Sequence, residues 1–402
     1  MGIRQSNTPE KSSLFSDLDT SPDSPLAALL EALESTAAAR DLQGGTAKHE
    51  RDLIRHSGLL LLTIPKAYGG TGGTLTDALR VARKIAGVDS ALAHLFAFHH
   101  FQLITLRLYT QESQWAPLFT STAQHGWFWG NALNPLDHRA LLERRGQGYV
   151  INGDKSFCSG AKDSNMLVVS ALLDGKLKVA AIPTQRTGIT VNDDWDNMGQ
   201  RQTDSGSVSF VDVLVNEDEL LQQPGPLSSP YASLRSCIGQ LILTNVYLGV
   251  AEGALQQAKQ FVRSSARPWL SSGVERVEDD PYVLRNFGEF FADTAAARAL
   301  TDEALHQLQA ALDLGQQVTP EIRGQVAIAI ASAKVISSRA ALSVSSRMFE
   351  VMGARSTTGR LRLDRFWRNV RTHTLHDPVD YKLRELGYWA LTDTPPSPSF
   401  YS

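Results

Sequence analysis

The sequence predicts an α+β fold in which a small β domain lies between two helical regions. Three observations lead to that prediction. Apolar residues recur with helical spacing over residues 25–125, short β-branched runs separated by turn residues occupy residues 126–228, and long amphipathic helices fill residues 229–402. Residues 1–24 are rich in Ser, Pro and Asp, and we expect them to form a disordered tail.

The N-terminal helical domain shows two apolar stripes and one helix that is apolar nearly all round. The first stripe consists of Leu26, Leu29, Leu30 and Leu33. The second consists of Ala78, Leu79, Ala82, Ile85 and Ala86. Residues 90–109 (SALAHLFAFHHFQLITLRLY) have no continuous polar face, which predicts a buried central helix.

The other two regions follow from strand and helix signals. Strands are predicted at 149–151, 166–173, 179–182 and 207–215. Asn152-Gly153 and Asp174-Gly175 are typical of tight turns after the first two strands. Helices of a bundle are predicted at 238–262, 283–314, 320–352 and 381–392, followed by a Pro- and Ser-rich tail at 394–402.

The composition excludes several classes of protein. A net charge of −3 gives no bulk attraction to nucleic acid or acidic lipid, so we expect no nucleic-acid partner. We expect no membrane-spanning run and no signal peptide, so the predicted location is the cytoplasm, without a membrane partner. The only two cysteines, Cys158 and Cys237, favour neither a disulfide framework nor a cysteine-rich zinc site, and no metal is expected.

The most informative stretch is residues 365–378 (RFWRNVRTHTLHDP), at the predicted end of a C-terminal helix and in the loop after it. It holds three arginines, two histidines and an aspartate. Such groups are unfavourable to bury without partners, because they lose hydration that nothing else restores. The stretch therefore predicts an anionic ligand with acid–base chemistry beside it.

Several motifs, in this order, resemble the acyl-CoA dehydrogenase superfamily. Residues 152–161 (NGDKSFCSGA) resemble the strand and turn that lie against the flavin ring there, and residues 198–205 (MGQRQTDS) resemble the turn that follows. More narrowly, the chain from about Ala47 to the last helix resembles flavin-dependent monooxygenases of the dibenzothiophene monooxygenase type. That resemblance is carried by residues 93–96 (AHLF), 130–131 (GN), 157–162 (FCSGAK), 194–196 (DWD), 201–207 (RQTDSGS), 266–269 (ARPW) and 365–378.

The resemblance implies an acyl-CoA dehydrogenase-like fold and a two-component monooxygenase. Such an enzyme takes reduced FMN from a separate flavin reductase and uses dioxygen to oxidise the sulfur of a small apolar organosulfur compound, from sulfide to sulfoxide to sulfone. The protein holds the flavin, excludes water and supplies protons. The resemblance also implies a homotetramer in which one subunit contacts the flavin of its neighbour.

The resemblance further implies roles for individual residues. The flavin ring would be lined by Asn131, Phe157, Ser159 and Trp195. The flavin phosphate would be bound by Arg267 and Arg355, since guanidinium suits bidentate recognition. The catalytic side chains would be His94, Asn131, Ser159 and His376, because imidazole titrates near neutral pH. Phe98 would bind substrate; it stands where the dibenzothiophene enzymes carry tyrosine, which implies a different substrate preference.

Purely structural roles compete with most of these functional ones. A lone histidine on an apolar helix is usually a satisfied core residue, although the resemblance favours the functional role for His94. The competing structural roles are a turn residue for Ser159, core packing for Trp195, and helix C-caps for Arg267 and Arg355. Structural ion pairs with Asp364 and Asp377 are the preferred interpretation for Arg365, Arg368 and Arg371.

The main competing function is acyl-CoA dehydrogenation, which needs a carboxylate base. By resemblance, the two positions of that base fall on Asp377 and Gly239, and neither is glutamate. The superfamily's Thr-Glu-Pro-x-x-Gly-Ser-Asp segment is also replaced, here by residues 133–140 (LNPLDHRA). A flavin carrier without catalysis is a second competitor, and a monooxygenase that oxidises nitrogen or carbon is a third.

Overall fold

The computed structural model describes residues 24–402, and over these residues the predicted α+β architecture is confirmed. The predicted disordered tail lies outside the described residues apart from Ser24, whose side chain accepts a hydrogen bond from Ala27 N and caps the first helix. Helices of the N-terminal region are α1 Pro25–Gln43, α2 Lys48–His56, α3 Leu75–Ala86, α4 Ser90–Tyr109 and α5 Glu112–His125. Both predicted apolar stripes face the core, on α1 and on α3.

The central region forms one seven-stranded sheet within the described part of the chain. Its strands are β1 Trp129–Ala132, β2 Leu141–Arg145, β3 Gly148–Lys155, β4 Met166–Leu173, β5 Lys176–Pro183, β6 Ile189–Val191 and β7 Val208–Val215. The order across the sheet is β1-β4-β2-β3-β7-β6, with β5 paired to β4. The strand β1 runs parallel to β4, whereas β3 runs antiparallel to both β2 and β7.

One of the two predicted turns is correct. Asp174 and Gly175 both have positive φ and join β4 to β5, as expected for a tight hairpin. The turn predicted at Asn152-Gly153 is wrong, because β3 continues through it with a shift in register against β7. Gly153 has φ +118°, and a Cβ atom there would lie 2.1 Å from the Arg139 carbonyl oxygen. The Asn-Gly signal therefore marks a β-bulge, which needs the same backbone freedom as a turn.

The C-terminal region is a helical bundle. Its helices are α6 Pro230–Ser264, α7 Pro281–Leu314, α8 Pro320–Met352, α9 Asp364–His373 and α10 Val379–Thr392. The helix α6 begins at Pro230 rather than at the predicted residue 238, because Ser229 caps it by accepting from Ala232 N and proline suits the first turn. The domain boundaries given above stay a prediction.

Two helices correct the expectation that no run is long enough to span a membrane. By length and composition, α6 and α8 both qualify. However, 83% of the qualifying window of α6 and 67% of that of α8 are buried inside the fold. Their apolar surface is therefore covered by protein, as in core helices.

The predicted C-terminal tail is docked rather than free. The Ser402 carbonyl accepts hydrogen bonds from Arg323 and from Ser236, and Lys382 Nζ donates to the Tyr401 carbonyl at 2.5 Å. Arg323 and Lys382 are both buried and need acceptors. The sequence of residues 394–402 carries no sign of those distant acceptor requirements, so it predicts a tail but not the docking of that tail.

The central helix α4 is enclosed on all sides, as predicted. Every residue of α4 except Phe98 and Arg107 is buried, and the Asp89 side chain caps its first turn by accepting from Ala91 N and Leu92 N. Two of its histidines have core partners: His99 Nε2 lies 2.9 Å from the Leu60 carbonyl oxygen, and His100 Nδ1 lies 2.9 Å from Thr63 Oγ1.

Burial of these histidines predicts acid-dependent stability. Burial lowers the pKa of His99 from 6.5 to about 4, so between these values the unfolded chain binds more protons than the folded one. The stabilisation is fully present above about pH 6.5 and is lost as the pH falls towards 4. Between pH 7 and pH 5, this effect lowers the unfolding free energy of the wild type by about 2 kcal/mol. We expect His99→Asn to abolish that part of the decrease, as measured by urea denaturation at both pH values.

The difference between the two pH values cancels any general destabilisation by the substitution. The matched control is His306→Asn, because His306 is exposed on α7. That control should keep the full pH dependence of the wild type. Equal pH dependence in the two variants would show that His99 is not buried as a neutral imidazole.

Candidate active site

A cavity of about 900 Å³ lies where the three regions meet. This volume is at the upper end of the range for small-molecule sites. Seven of the predicted site residues line it: His94, Phe98, Asn131, Phe157, Ser159, Trp195 and His376. Residues far apart in the sequence thus share one wall, on α4, on β1, in the turn after β3 and in the loop after α9.

A series of hydrogen bonds runs along one wall of the cavity. His94 Nε2 lies 3.0 Å from Ser159 Oγ, which lies 2.8 Å from Ser205 Oγ. Ser205 donates to Thr203 Oγ1 at 2.8 Å, and Thr203 donates to the Gln200 carbonyl at 2.9 Å. Because a carbonyl only accepts, the series has one direction, from His94 Nε2–H through three hydroxyl groups to Gln200. This assigns the proton of His94 to Nε2.

The turn that carries Ser159 needs special backbone geometry. Phe157 and Gly160 both have positive φ, +57° and +69°. A Cβ atom on Gly160 would lie 3.0 Å from the Leu95 side chain of α4, so glycine allows the turn to approach that helix closely. The close approach brings Ser159 within hydrogen-bonding distance of His94.

Cys158 lies in the same turn, between two residues that line the cavity. Its thiol is buried and donates to the Lys155 carbonyl at 3.4 Å. Burial raises its pKa to about 12. Cys158 and Cys237 are both free thiols, as predicted.

The environment of His94 makes it a neutral imidazole. Its ring stacks on Phe98 at 4.0 Å and meets His373 edge-on at 4.8 Å. Burial lowers the pKa of His94 to about 3, and proximity to His376 acts in the same direction. This differs from the expectation of an imidazole that titrates near neutral pH. His94 is therefore suited to hold a hydrogen bond rather than to change its charge during a reaction.

His373 was given no specific role by the sequence, yet it lines the cavity beside His94. Burial, together with neighbouring His94, lowers its pKa well below the ordinary value. Within residues 24–402, His94 Nδ1 and His373 Nε2 are buried polar atoms without a hydrogen-bond partner. Such atoms are rare in proteins, and both are closed off from the cavity by the surrounding side chains.

Three further residues present groups that suit a flat heteroaromatic ligand. Asn131 is buried on β1, and its Oδ1 accepts from Gln102 Nε2 at 3.2 Å, which leaves the amide nitrogen as the cavity-side donor. Phe157 is 57% exposed and meets Trp195 edge-on at 6.1 Å. Trp195 Nε1 donates to the Gln200 carbonyl at 2.9 Å, which fixes its ring. The donor set and the aromatic surfaces therefore fit a flavin ring.

His376 is held by a buried ion pair that the sequence did not predict. His376 Nδ1 lies 3.2 Å from Asp377 Oδ1, and the other oxygen of Asp377 accepts from Lys334 Nζ at 2.5 Å. Burial lowers the pKa of Lys334 to about 8. Burial alone would raise the pKa of Asp377, but hydrogen bonds from His376 and Lys334 hold it below the ordinary value. Since Nδ1 is engaged, Nε2 is the atom that His376 offers to the cavity.

Arg267 and Arg355 do not line the cavity of their own chain. Both are exposed, and Arg355 donates to the carbonyl of Ser265, the C-cap residue of α6. This contact corresponds to the helix-capping role considered for Arg355. It also places Arg355 against the segment that carries Arg267.

The expected ion pairs of the 365–378 stretch are only partly correct. Arg368 pairs with Asp364 at 2.7 Å and also with Asp41 of α1. Arg365 instead donates to the backbone carbonyls of residues 361 and 362. Asp377 is occupied by Lys334 and His376, so it is not a partner of these arginines. A distant lysine on α8 gives no local sequence signal.

The comparisons with known proteins agree with this architecture. Three domain families match consecutive parts of the chain, all described as acyl-CoA dehydrogenase: the N-terminal domain at residues 28–123, the middle domain at 130–213 and the C-terminal domain at 241–381.

Individual relatives match almost the whole chain. A probable FMNH2-dependent monooxygenase of Pseudomonas putida is 52% identical over 91% of this chain and 94% of the relative. The dibenzothiophene monooxygenase of Rhodococcus erythropolis is 42% identical over 96% of each. The solved structure of the methanesulfinate monooxygenase of Pseudomonas fluorescens superposes with a TM-score of 0.93 at 52% identity, covering 94% of this chain and 98% of that one.

The Lys334–Asp377 pair predicts a large stability effect. Asp377→Leu leaves a fully buried ammonium group without its counter-ion, and we expect a loss of about 3–5 kcal/mol in unfolding free energy. The double variant Lys334→Met/Asp377→Leu removes both charges and should recover most of that loss. Urea denaturation monitored by circular dichroism measures both.

The control is the exposed pair of Lys48 and Asp52, whose side chains are 60% and 34% accessible. There, Asp52→Leu should change stability by less than about 1 kcal/mol. A double variant at 334 and 377 that is as unstable as the single variant would contradict the ion-pair account.

Proposed function

The chain belongs to the acyl-CoA dehydrogenase family, as a reduced-flavin-dependent monooxygenase with FMN as cofactor, and we propose that it oxygenates a small organosulfur compound beside His94 and Ser159. The observation that carries this proposal is the hydrogen-bonded series from His94 to Gln200 on the wall of a cavity of about 900 Å³. Two relatives named after organosulfur substrates, dibenzothiophene and methanesulfinate, support the choice of sulfur.

When bound, reduced FMN supplies two electrons that split dioxygen, so that one oxygen atom is transferred to sulfur and the other leaves as water. The protein provides the surroundings for that transfer. Asn131 would donate its amide N–H to the flavin ring, while Phe157 and Trp195 would pack on it. Packing of this kind also keeps water away from the reacting oxygen.

The polar series gives Ser159 a defined part in this proposal. Its hydroxyl hydrogen is donated to Ser205, and its oxygen accepts from His94. Because burial keeps His94 neutral, the series holds Ser159 in one orientation at the cavity wall without any change of charge. His376, oriented by Asp377, is the proposed proton donor, since its side chain is 42% exposed and can exchange protons with solvent.

The same geometry argues against dehydrogenation of an acyl-CoA. That reaction needs a carboxylate free to accept a proton from the substrate. Asp377 is instead neutralised by Lys334 and does not line the cavity, and Gly239 offers no side chain. Flavin reduction by any acyl-CoA under anaerobic conditions would overturn the monooxygenase proposal.

Arg267 and Arg355 would act on the flavin phosphate of a neighbouring subunit in a homotetramer. Their exposure, and their absence from the cavity of their own chain, supports a role across an interface. Exposed apolar side chains in the same segment, Trp269 at 75% and Leu270 at 98%, support an interface there. A separate flavin reductase as the source of reduced FMN and a cytoplasmic location complete the proposal.

The central test is product formation from reduced FMN, dioxygen and an organosulfur panel that includes dibenzothiophene and methanesulfinate. Ser159→Ala interrupts the series from His94, and we expect it to lower the S-oxygenated product per FMN oxidised by about tenfold or more while hydrogen peroxide release rises. FMN affinity should change by less than about threefold, because the ring keeps its other contacts. Product is scored by mass spectrometry and peroxide by a peroxidase-coupled assay.

The control for that test is Ser164→Ala, which removes another buried hydroxyl, bonded to Thr184 at 2.7 Å and not part of the cavity wall. It should leave the ratio of product to peroxide unchanged. If both serine variants lose product equally, the series from His94 is structural rather than part of the oxygenation site.

The role of Arg355 across an interface can be tested by mixing subunits. Arg355→Met alone should weaken FMN binding about tenfold or more, since a charge-assisted bond to phosphate is lost. Co-expression of Arg355→Met and Ser159→Ala subunits should yield more activity than either variant alone. Some sites in such mixed tetramers combine an intact Ser159 from one subunit with an intact Arg355 from its neighbour. Activity that never exceeds that of the separate variants would place Arg355 in its own subunit's site or outside any site.

A further inference from the structure

We propose that Arg235 binds the oxyanion group of the organosulfur substrate, so that this enzyme prefers organosulfur anions to neutral sulfides. This inference rests on the proposed oxygenation of sulfur and names its substrate class. It differs from the apolar substrate that the family resemblance implied. Arg235 is a buried cation that lines the same cavity as His94 and Ser159.

Arg235 is 7% exposed on α6, and it lines the cavity. Its Nε donates to Thr105 Oγ1 at 2.9 Å, and its guanidinium carbon lies 4.2 Å from the centre of the Phe101 ring. Together these contacts hold the plane of the guanidinium group on one side of α4. The edge that carries the two terminal nitrogens is left for the cavity.

Those terminal nitrogens have no acceptor among residues 24–402, and no carboxylate lies within 4.0 Å of the side chain. They are also not sealed in protein, unlike Nη1 of Arg323, which is buried without a partner in the described residues. Burial lowers the pKa of Arg235, but a guanidinium stays protonated at neutral pH. Removing a guanidinium ion from water is unfavourable unless an anion or another strong hydrogen-bond acceptor binds it.

Other buried arginines of this fold have carboxylate or carbonyl acceptors within the protein. Arg40 pairs with Asp89, and Arg83 pairs with Asp302. Arg365, which has no carboxylate within 4.0 Å in the described residues, donates to two backbone carbonyls. Arg235 has neither kind of partner for its terminal nitrogens in that part of the chain, so a ligand is the remaining candidate.

The space beside Arg235 suits a short substrate. Gly239, one helical turn further along α6, also lines the cavity, and the Phe101 ring packs closely against it, since a Cβ atom there would lie 3.3 Å from that ring. The residues from His94 to Phe101 advance about 10 Å along α4. A substrate with its oxyanion on Arg235 would therefore place a sulfur atom a few bonds away towards His94. A sulfinate carries its two oxygens on the reacting sulfur itself and would hold that sulfur directly at Arg235, so this spacing favours a carboxylate whose sulfide lies a few bonds away.

The reaction balances for either member of the class. A thioether carboxylate, dioxygen and reduced FMN give the sulfoxide carboxylate, water and oxidised FMN. A sulfinate gives the corresponding sulfonate in the same way. In both, the sulfur lone pair forms the new S–O bond while the O–O bond breaks. The two electrons and two protons of reduced FMN convert the second oxygen atom to water.

The test uses FMN-supplied enzyme and a matched pair of probes, (phenylthio)acetate and its methyl ester, which share the sulfide and differ in charge. We expect the wild type to favour the anion in kcat/KM, and Arg235→Met to lower kcat/KM for the anion by about 10- to 100-fold, as for loss of a charge-assisted hydrogen-bonded pair. The same variant should change the ester by less than about threefold, and Arg235→Lys should restore part of the loss. Methanesulfinate as a third probe distinguishes a sulfinate from a carboxylate as the preferred oxyanion.

The control variant is Arg139→Met, which removes a cavity-lining arginine that is already paired with Asp137 and mostly exposed. It should affect acid and ester alike. A wild type that prefers the ester, or an Arg235→Met variant that slows acid and ester equally, would overturn the proposal. Loss of FMN affinity without a change in this preference would assign Arg235 to the cofactor instead.

Binding of the corresponding sulfone, (phenylsulfonyl)acetate, separates this inference from the proposed function. That compound needs no turnover, and its dissociation constant with the FMN-loaded protein is read from the flavin absorbance. Weaker binding to Arg235→Met than to wild type supports the anion site even if no probe is oxygenated. Equal binding to both proteins overturns the anion site even if the ester is oxygenated.

Discussion

The need to bury α4 on every side organises this molecule. A helix without a polar face must be enclosed, and α3, α6 and the strand β1 together provide that enclosure. The helical regions and the β domain therefore all pack around α4 instead of forming separate cores. The cavity lies along the part of α4 where this enclosure is incomplete, at Phe98, its only apolar residue that is not fully buried. The position of the site follows from the same constraint that assembles the fold.

The buried polar groups around the cavity find their partners in three different ways. Hydroxyl groups and His94 are satisfied by one another and end at a carbonyl. Lys334 and Asp377 neutralise each other and hold His376. Arg235 is braced by Thr105 and Phe101 but keeps its terminal nitrogens towards the cavity. The hydroxyl groups, His94 Nε2 and the Lys334–Asp377 pair find their partners within the protein, whereas the terminal nitrogens of Arg235 gain theirs from a ligand. That difference separates groups that maintain the site from a group that selects what enters it.

The sequence predicted the architecture well because periodicity reports which faces are buried. The stripes on α1 and α3, the enclosed α4 and the hairpin at Asp174-Gly175 all follow from local patterns. Local patterns failed where a distant partner decides the outcome. The Asn152-Gly153 pair bends a strand because Arg139 approaches it closely, and the last residues dock because Arg323 and Lys382 need acceptors.

The same distinction applies to the site. The resemblance brought together seven residues that do line one cavity, although their roles stay a proposal. It missed Lys334 and Arg235, which lie outside the quoted motifs, and it gave no role to His373, although that residue lies within residues 365–378. Each of the three depends on a contact made across the fold. It also assigned His94 an ordinary titration, since burial is not visible in a single position of a sequence.

The raised pKa of Cys158 has a consequence for the durability of the protein. Oxidants attack the thiolate form of cysteine, and a raised pKa leaves very little of Cys158 in that form at neutral pH. A site that handles dioxygen releases peroxide whenever transfer to the substrate fails. Burial of the turn thus keeps Cys158, the thiol closest in sequence to Ser159, in its unreactive form. Peroxide released in cycles that yield no product is therefore less able to oxidise this thiol to sulfenic acid.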